Sequence, residues 1–183
     1  MDIDIDKEPL EIANTPHIIT NESSLAVPMR ALSARVERLY EHIGQSNTEV
    51  SIVLTTDEEI RRLNKEWRDI DEPTDVLSFP MREGESPEIA EKLPLGDIVI
   101  SVETAIRYVD SCHHRDRINE GPQPLTETWS LLDELTFLMI HSTLHLLGHD
   151  HAEPEEEKIM RSMEKEWMLF ILNTENEGRP NLA

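Results

Sequence analysis

The sequence has a single cysteine, Cys112, so no intrachain disulfide can form. Basic residues are scarce as well: 17 Lys and Arg stand against 38 Asp and Glu, a formal net charge of −21. A field of that sign repels nucleic acid and anionic membranes at long range, so any contact with a polyanion has to be local. The same acidity favours basic partners, although a well-hydrated surface is the plainer explanation. No apolar run approaches the roughly 18 residues that span a bilayer, which predicts no membrane partner. The chain opens Met-Asp-Ile-Asp-Ile-Asp, without the basic stretch and apolar core of a secretory signal, and a cytoplasmic location is expected. At 183 residues there is room for one domain with one good-sized core.

Residues 1–26 read as an acidic N-terminal arm, with enough apolar character between Leu10 and Thr20 for one strand. Leu32, Val36, Leu39 and Ile43 recur at helical steps and predict an amphipathic helix from Pro28 to about Ile43. Val50 to Leu54 is a β-branched strand. Thr56 and Glu59 form a capping box that opens a helix with Ile60, Leu63 and Trp67 on its apolar stripe. Asp75 to Phe79 and Asp97 to Val102 read as further strands, joined by a mobile loop over about 82–95. A helix from Thr104 to about Arg115 and a polar connection precede the main helix, Leu125 to Leu147, which is apolar on nearly every side in its second half and so must be buried. A last helix, Pro154 to about Leu172, pairs an acidic first turn with Ile159, Met163, Trp167 and Phe170 at core spacing. The folded domain is placed at 27–173, and 174–183 as a flexible tail. These elements predict a single α+β domain, with α/β as the alternative: a small mixed sheet and several helices packed around the buried helix.

That helix ends in His141-Ser142-Thr143-Leu144-His145-Leu146-Leu147-Gly148-His149-Asp150-His151. Histidines four residues apart on a helix lie about 40° apart around the axis and about 6 Å apart along it, so both imidazoles face one point. Gly148 falls where the chain can turn back through a left-handed residue and bring in His151. One buried histidine is more often a core residue bonded to backbone. Three unpaired imidazoles would be costly to bury, and a shared cation removes that cost. His141, His145 and His151 are therefore the expected ligands of one divalent ion, with one coordination position open. Zinc suits three imidazoles best, with nickel, copper or iron as other occupants. Asp150 either orients a ligand histidine or caps the turn after Gly148. His149 is expected to point outward, facing substrate or plain solvent, more readily than to close the site as a fourth ligand. Metzincin proteases share this spacing, but they place a glutamate general base after the first histidine. Here that position is Ser142, which cannot replace it.

With its Asp-His ending, the motif resembles the YbeY family of bacterial and organellar endoribonucleases. The resemblance extends to Leu63-Asn64, Trp67-Arg68, the run Pro73 to Pro80 and the Leu-Gly-Asp-Ile segment Leu95 to Ile98, and covers about residues 50–172. Ser142, where the family usually has Gly, and His149, where an aromatic Tyr is common, are departures that spare the three ligands. What the resemblance implies is a metal-dependent nuclease cutting single-stranded RNA. It would act in 3′-end maturation of small-subunit (16S) rRNA and in ribosome quality control. Its implied partners are the RNA, the small subunit and that subunit's basic proteins.

Under that reading Arg68 matches the family's functional arginine, since a guanidinium can hold a phosphate bidentately and stabilise developing charge. It would act with a metal-bound water, whose pKa a divalent ion brings from 15.7 to about 7. Attack by the ribose 2′-hydroxyl is an equally lawful route. Arg61 and Lys65, at i and i+4 ahead of Arg68, could form an RNA-binding face, or a solvated one neutralised by Glu58 and Glu66. Asp75, Ser78 and Phe79 match a family segment, but core or turn roles suffice to explain them. His113 and His114 read as a solvated helix end, and Asp97 is given no catalytic role. The competing reading is a noncatalytic ribosome-assembly factor with a structural metal and an acidic docking surface.

Overall fold

Burial with a period of two organises the sheet. In strand β2, Val50–Thr55, Val50, Ile52 and Leu54 are buried on one face while Ser51 and Val53 point to the other. The computed structural model describes residues 17–86, 89, 93–120 and 126–177. Its four strands run in the order β1, β2, β4, β3, where β1 is His17–Asn21, β3 is Val76–Pro80 and β4 is Gly96–Ser101. β1, β2 and β4 are parallel, and β3 pairs antiparallel with β4 through Val76↔Ile100 to Pro80↔Gly96. The sheet is therefore mixed, and the domain is α+β.

Two clusters of apolar side chains cover its faces. Helix α2, Asp57–Arg68, closes one face with Ile60 and Leu63 over Val53, Leu77, Phe79 and Val99. The larger core lies on the other face. There Val50, Ile52, Leu54, Ile98 and Ile100 meet side chains from four helices: α1 (Met29–His42), α3 (Val102–Ser111), α5 (Leu131–Leu146) and α6 (Pro154–Glu177). The short α4, His113–Ile118, adds Ile118. Burying so many aliphatic side chains, at about 1.5–3 kcal/mol each, is the main term holding the domain together.

Several expected boundaries shift. β1 begins at His17 and is paired in the sheet, so the domain starts well before residue 27, and the rest of the expected Leu10–Thr20 strand lies outside the described residues. Val102 opens α3 instead of ending β4, because Ser101 Oγ accepts the Thr104 N–H as an N-cap. The expected Thr104–Arg115 helix breaks at Cys112, which takes a left-handed φ of 56°. α5 starts at Leu131 because Ser130 and Asp133 form a capping box, each side chain bonding the other's backbone N–H. Thr56 makes only half of such a box: its Oγ1 accepts the Glu59 N–H, but the Glu59 carboxylate pairs with Arg62. α6 runs on to Glu177, into the stretch expected as tail.

Two stripe assignments are also corrected. Trp67 is 65 % exposed, since Ile60 and Leu63 already cover the sheet, and the indole meets Phe79 edge-on at 5.8 Å. On α6 it is Met160, not Ile159, that faces the core; Ile159 is 55 % exposed.

α5 is buried on nearly all sides, as expected, and the two acidic residues of its first turn are paired. Asp133 receives Arg35 Nη1 at 2.9 Å, and Glu134, fully buried, accepts from Trp129 Nε1 and pairs with His114 Nδ1. His114 is thus not a solvated helix end: the break at Cys112 turns it inward, 4 % exposed, against Phe137.

Candidate metal centre

The end of α5 is built by hydrogen bonds that force the chain to reverse. His149 N–H donates to the Leu144 carbonyl and Gly148 N–H to the His145 carbonyl, with Gly148 at φ 91°. This is a Schellman motif with glycine at its left-handed position. Where α5 crosses the sheet, Gly96 makes the approach possible. A Cβ there would lie 2.3 Å from the Phe79 carbonyl oxygen and 2.8 Å from Leu146 Cδ2. The helix end, the β3–β4 edge and the returning loop enclose a cleft of about 830 Å³.

The three histidines meet there. His141 Nε2 and His145 Nε2 are 3.2 Å apart, and one ring nitrogen from each of His141, His145 and His151 lies within 4.8 Å of the others. A tetrahedral site with metal–nitrogen bonds of 2.0–2.1 Å sets its donors about 3.3 Å apart. The closest pair already has that spacing, and His151, exposed on the loop, can close the rest. The residues fit a metal ion.

The rings are held in orientations that aim nitrogens inward. His141 Nδ1 donates to Glu164 Oε1 at 2.7 Å, which leaves Nε2 with its lone pair toward the cluster. Glu164, on α6, is 1 % exposed and is itself clamped by Arg117 Nη2 at 2.7 and 3.0 Å. Burial pushes the pKa of His145 below the ordinary imidazole value. The neighbouring His141 and His151 push the same way, against Asp150 and a hydrogen bond to the His149 backbone. A neutral imidazole is the form that binds a cation.

His141, His145, His151, Asp150 and Arg68 all line this cleft. Asp150 Oδ1 accepts the His151 N–H at 2.7 Å, so of its two expected roles the turn is the one its hydrogen bonding displays. His149 also lines the cleft and is half-buried, a substrate-facing position rather than a plain surface one. Arg61 and Lys65 are not at the cleft. Both rest on Asp71 at 2.8 Å, where Glu58 and Glu66 had been expected as partners. Glu66 instead receives Arg62. Asp75 and Ser78 line the cleft, beyond a purely core or turn position. Ser142 is fully buried and is not among the residues that line the cleft, in keeping with the weakness of a protease reading.

Glu164 was missed, and so was Arg82, which lines the cleft from the loop after β3. Glu164 did carry a signal. It lies four residues after Met160 and three before Trp167, a carboxylate in the middle of an apolar stripe, and such a group is almost never buried without a partner.

An α+β domain with three convergent histidines and an arginine at one cleft defines a histidine-based metal-binding hydrolase type of site. The comparisons with known proteins agree with it. The family model described as Endoribonuclease YbeY matches residues 17–171, and the chain belongs to the YbeY endoribonuclease family. Among its relatives, the Endoribonuclease YbeY of Heliobacterium modesticaldum is 46% identical over 127 residues, covering 65% of this chain and 67% of that one. The protein of the same name from Lysinibacillus sphaericus is 38% identical over 154 residues, covering 79% and 86%. The solution structure of TM1509 from Thermotoga maritima shares the fold, with a TM-score of 0.55 and 20% identity over 91% of this chain and 99% of that one.

Proposed function

We propose that this endoribonuclease cuts single-stranded RNA in the cytoplasm, with zinc held by His141, His145 and His151. Its proposed task is 3′-end maturation of 16S rRNA and quality control of the small ribosomal subunit. The observation that carries the reading is the meeting of three imidazole nitrogens in a cleft that also holds Arg68, an exposed guanidinium with no ion pair among the described residues. In a chain of net charge −21, a cation left without a carboxylate beside a metal-type site is suited to a phosphodiester.

The roles follow from the side chains. His141, His145 and His151 would hold a divalent ion, which when bound would supply Lewis acidity and activate water for attack. Arg68 offers parallel N–H donors to the nonbridging oxygens, and holds the charge that grows on them as the phosphorus is attacked. Glu164 fixes the His141 tautomer, and Asp150 holds the turn that delivers His151. Arg61 and Lys65 extend the RNA path along α2 by exchanging Asp71 for phosphate. Basic proteins of the small subunit are the partners that the acidic surface favours.

The test is cleavage of a 16S 3′-precursor by the wild type and by His145→Ala, purified side by side, with the product ends identified. Cutting by the wild type alone is expected. A 5′-phosphate end marks water as the nucleophile, and a 2′,3′-cyclic phosphate the ribose hydroxyl. Equal cutting by both proteins, or none by either, would shift the reading to a noncatalytic assembly factor with a structural metal.

A further inference from the structure

Among the described residues most arginines are ion-paired. Arg61 rests on Asp71, Arg62 on Glu59 and Glu66, Arg107 on Asp57, and Arg117 on Glu164. Two arginines of the cleft depart from this pattern. Arg68 has neither hydrogen bond nor ion pair among the described residues, and Arg82 has one bond only, from Nε to the Leu93 carbonyl oxygen at 3.0 Å. That single bond anchors the guanidinium and leaves its two terminal nitrogens without an acceptor among the described residues. Carboxylates are at hand: Asp75, Glu83 and Asp150 line the same cleft. None of them takes either arginine. Asp75 Oδ1 is spent on the Val76 N–H and the Thr74 hydroxyl, and Asp150 Oδ1 on the His151 N–H. Arg82 is half-buried, and desolvating its donors without an acceptor has a cost, which an anion entering the cleft offsets.

We propose that Arg82 is a second phosphate-binding residue of this cleft, holding a backbone phosphate of single-stranded RNA other than the one Arg68 takes. The proposal rests on the nuclease reading above. Two guanidiniums in one cleft, one of them anchored through Leu93, hold a strand at two points, which sets its register over the three histidines. Arg82 is then a positioning residue: it contributes to binding the strand, whereas Arg68 acts at the reacting phosphate. Because it lies outside the histidine motif, on the loop after β3, its effect is separable from the metal.

The test is binding of a short fluorescein-labelled single-stranded oligoribonucleotide, followed by anisotropy over a series of salt concentrations with a chelator present so that no strand is cut. Arg82→Ala is expected to weaken binding about tenfold and to make the salt dependence shallower by about 0.7 in log–log slope, the loss of one phosphate contact to a single strand. Arg82→Lys keeps the charge and should stay near the wild type. Arg82→Gln keeps a donor for the Leu93 carbonyl without the charge and should match Arg82→Ala. Lys158→Ala, the same charge change on an exposed position of α6, should leave binding unchanged. If Gln behaves like the wild type while Lys fails, Arg82 is only a latch for its loop and the proposal is overturned. It is equally overturned if Arg82→Ala binds with wild-type affinity and slope, if Lys158→Ala has the same effect, or if the wild type binds no RNA. Cleavage by the wild type with zinc added, run in parallel, tests the nuclease reading on its own: a wild type that cuts while Arg82→Ala binds normally sinks only the proposal for Arg82.

Discussion

His114 and His141 are built alike up to a point. Each imidazole lies beside Phe137, at 4.3 and 6.2 Å between ring centroids, and each sets its Nδ1 on a buried carboxylate, Glu134 or Glu164. The difference lies beyond the ring. His114 is sealed in the core, and the other oxygen of its carboxylate is closed off by Trp129 Nε1. His141 opens into the cleft, where its Nε2 meets the Nε2 of His145 at 3.2 Å. A histidine–carboxylate pair is thus not in itself a site. It serves structure where the surroundings complete it and chemistry where they leave a nitrogen facing a shared, accessible point.

Breaking the sealed pair should have the larger effect on stability. Glu134→Ala leaves His114 and Trp129 buried without their acceptor and opens a cavity, which should cost about 3–5 kcal/mol in urea unfolding. A loss under about 1 kcal/mol would mean that water replaces the carboxylate and that this end of α5 is less closed than its burial indicates. The milder Glu134→Gln should leave the zinc affinity of the folded protein unchanged.

Gly96→Ala strikes where the two regions join, at the crossing of α5 over the β3–β4 edge. The added methyl would overlap the Phe79 carbonyl and Leu146, next to His145 on the helix. Overpacking of this kind costs about 1–3 kcal/mol. Since backbone cannot yield as a side chain can, cleavage should fall together with the melting temperature. Unchanged cleavage in a destabilised variant would show that the histidine geometry does not depend on this contact.

Glu164→Gln addresses the open pair. Removing the charged partner of a ligand histidine typically costs 10–100-fold in metal affinity. Calorimetric zinc titration should show that loss for Glu164→Gln and none for Glu134→Gln. Equal affinities would make both pairs structural and dissolve the contrast between them.

The centre was legible because it is local. The His-x3-His spacing, the glycine stop and the third histidine lie within eleven residues, and each rests on helix geometry that needs no knowledge of the rest of the fold. The strands were legible from alternation, and the burial of α5 from its all-round apolarity. What escaped depends on contacts distant in sequence. Glu164 is 23 residues from His141, and only the packing of α6 on α5 joins them. His114 was misread because the left-handed turn at Cys112 redirects it, and nothing in the composition of that stretch marks a non-glycine residue for that conformation. Trp67 and Ile159 were misplaced because periodicity gives the direction of a helix's apolar stripe but not how much of its width the neighbouring elements cover.

Ser142 sharpens the comparison with the smallest change. It follows His141 on α5, is fully buried, and its Oγ has no hydrogen-bond partner among the described residues. On the sealed side of the helix an unpaired hydroxyl is a cost without a return, whereas on the open side it could have served the metal chemistry. Ser142→Ala removes the desolvated hydroxyl and adds helix propensity, so it should stabilise the protein by about 1 kcal/mol. For a chain of this size that raises the melting temperature by about 2–4 °C. Zinc affinity and cleavage should not change, because the side chain turns away from the cleft that His141 faces. If the variant were more stable but cut poorly, the boundary between the sealed and open sides of α5 would have to be redrawn to place Ser142 with the histidines.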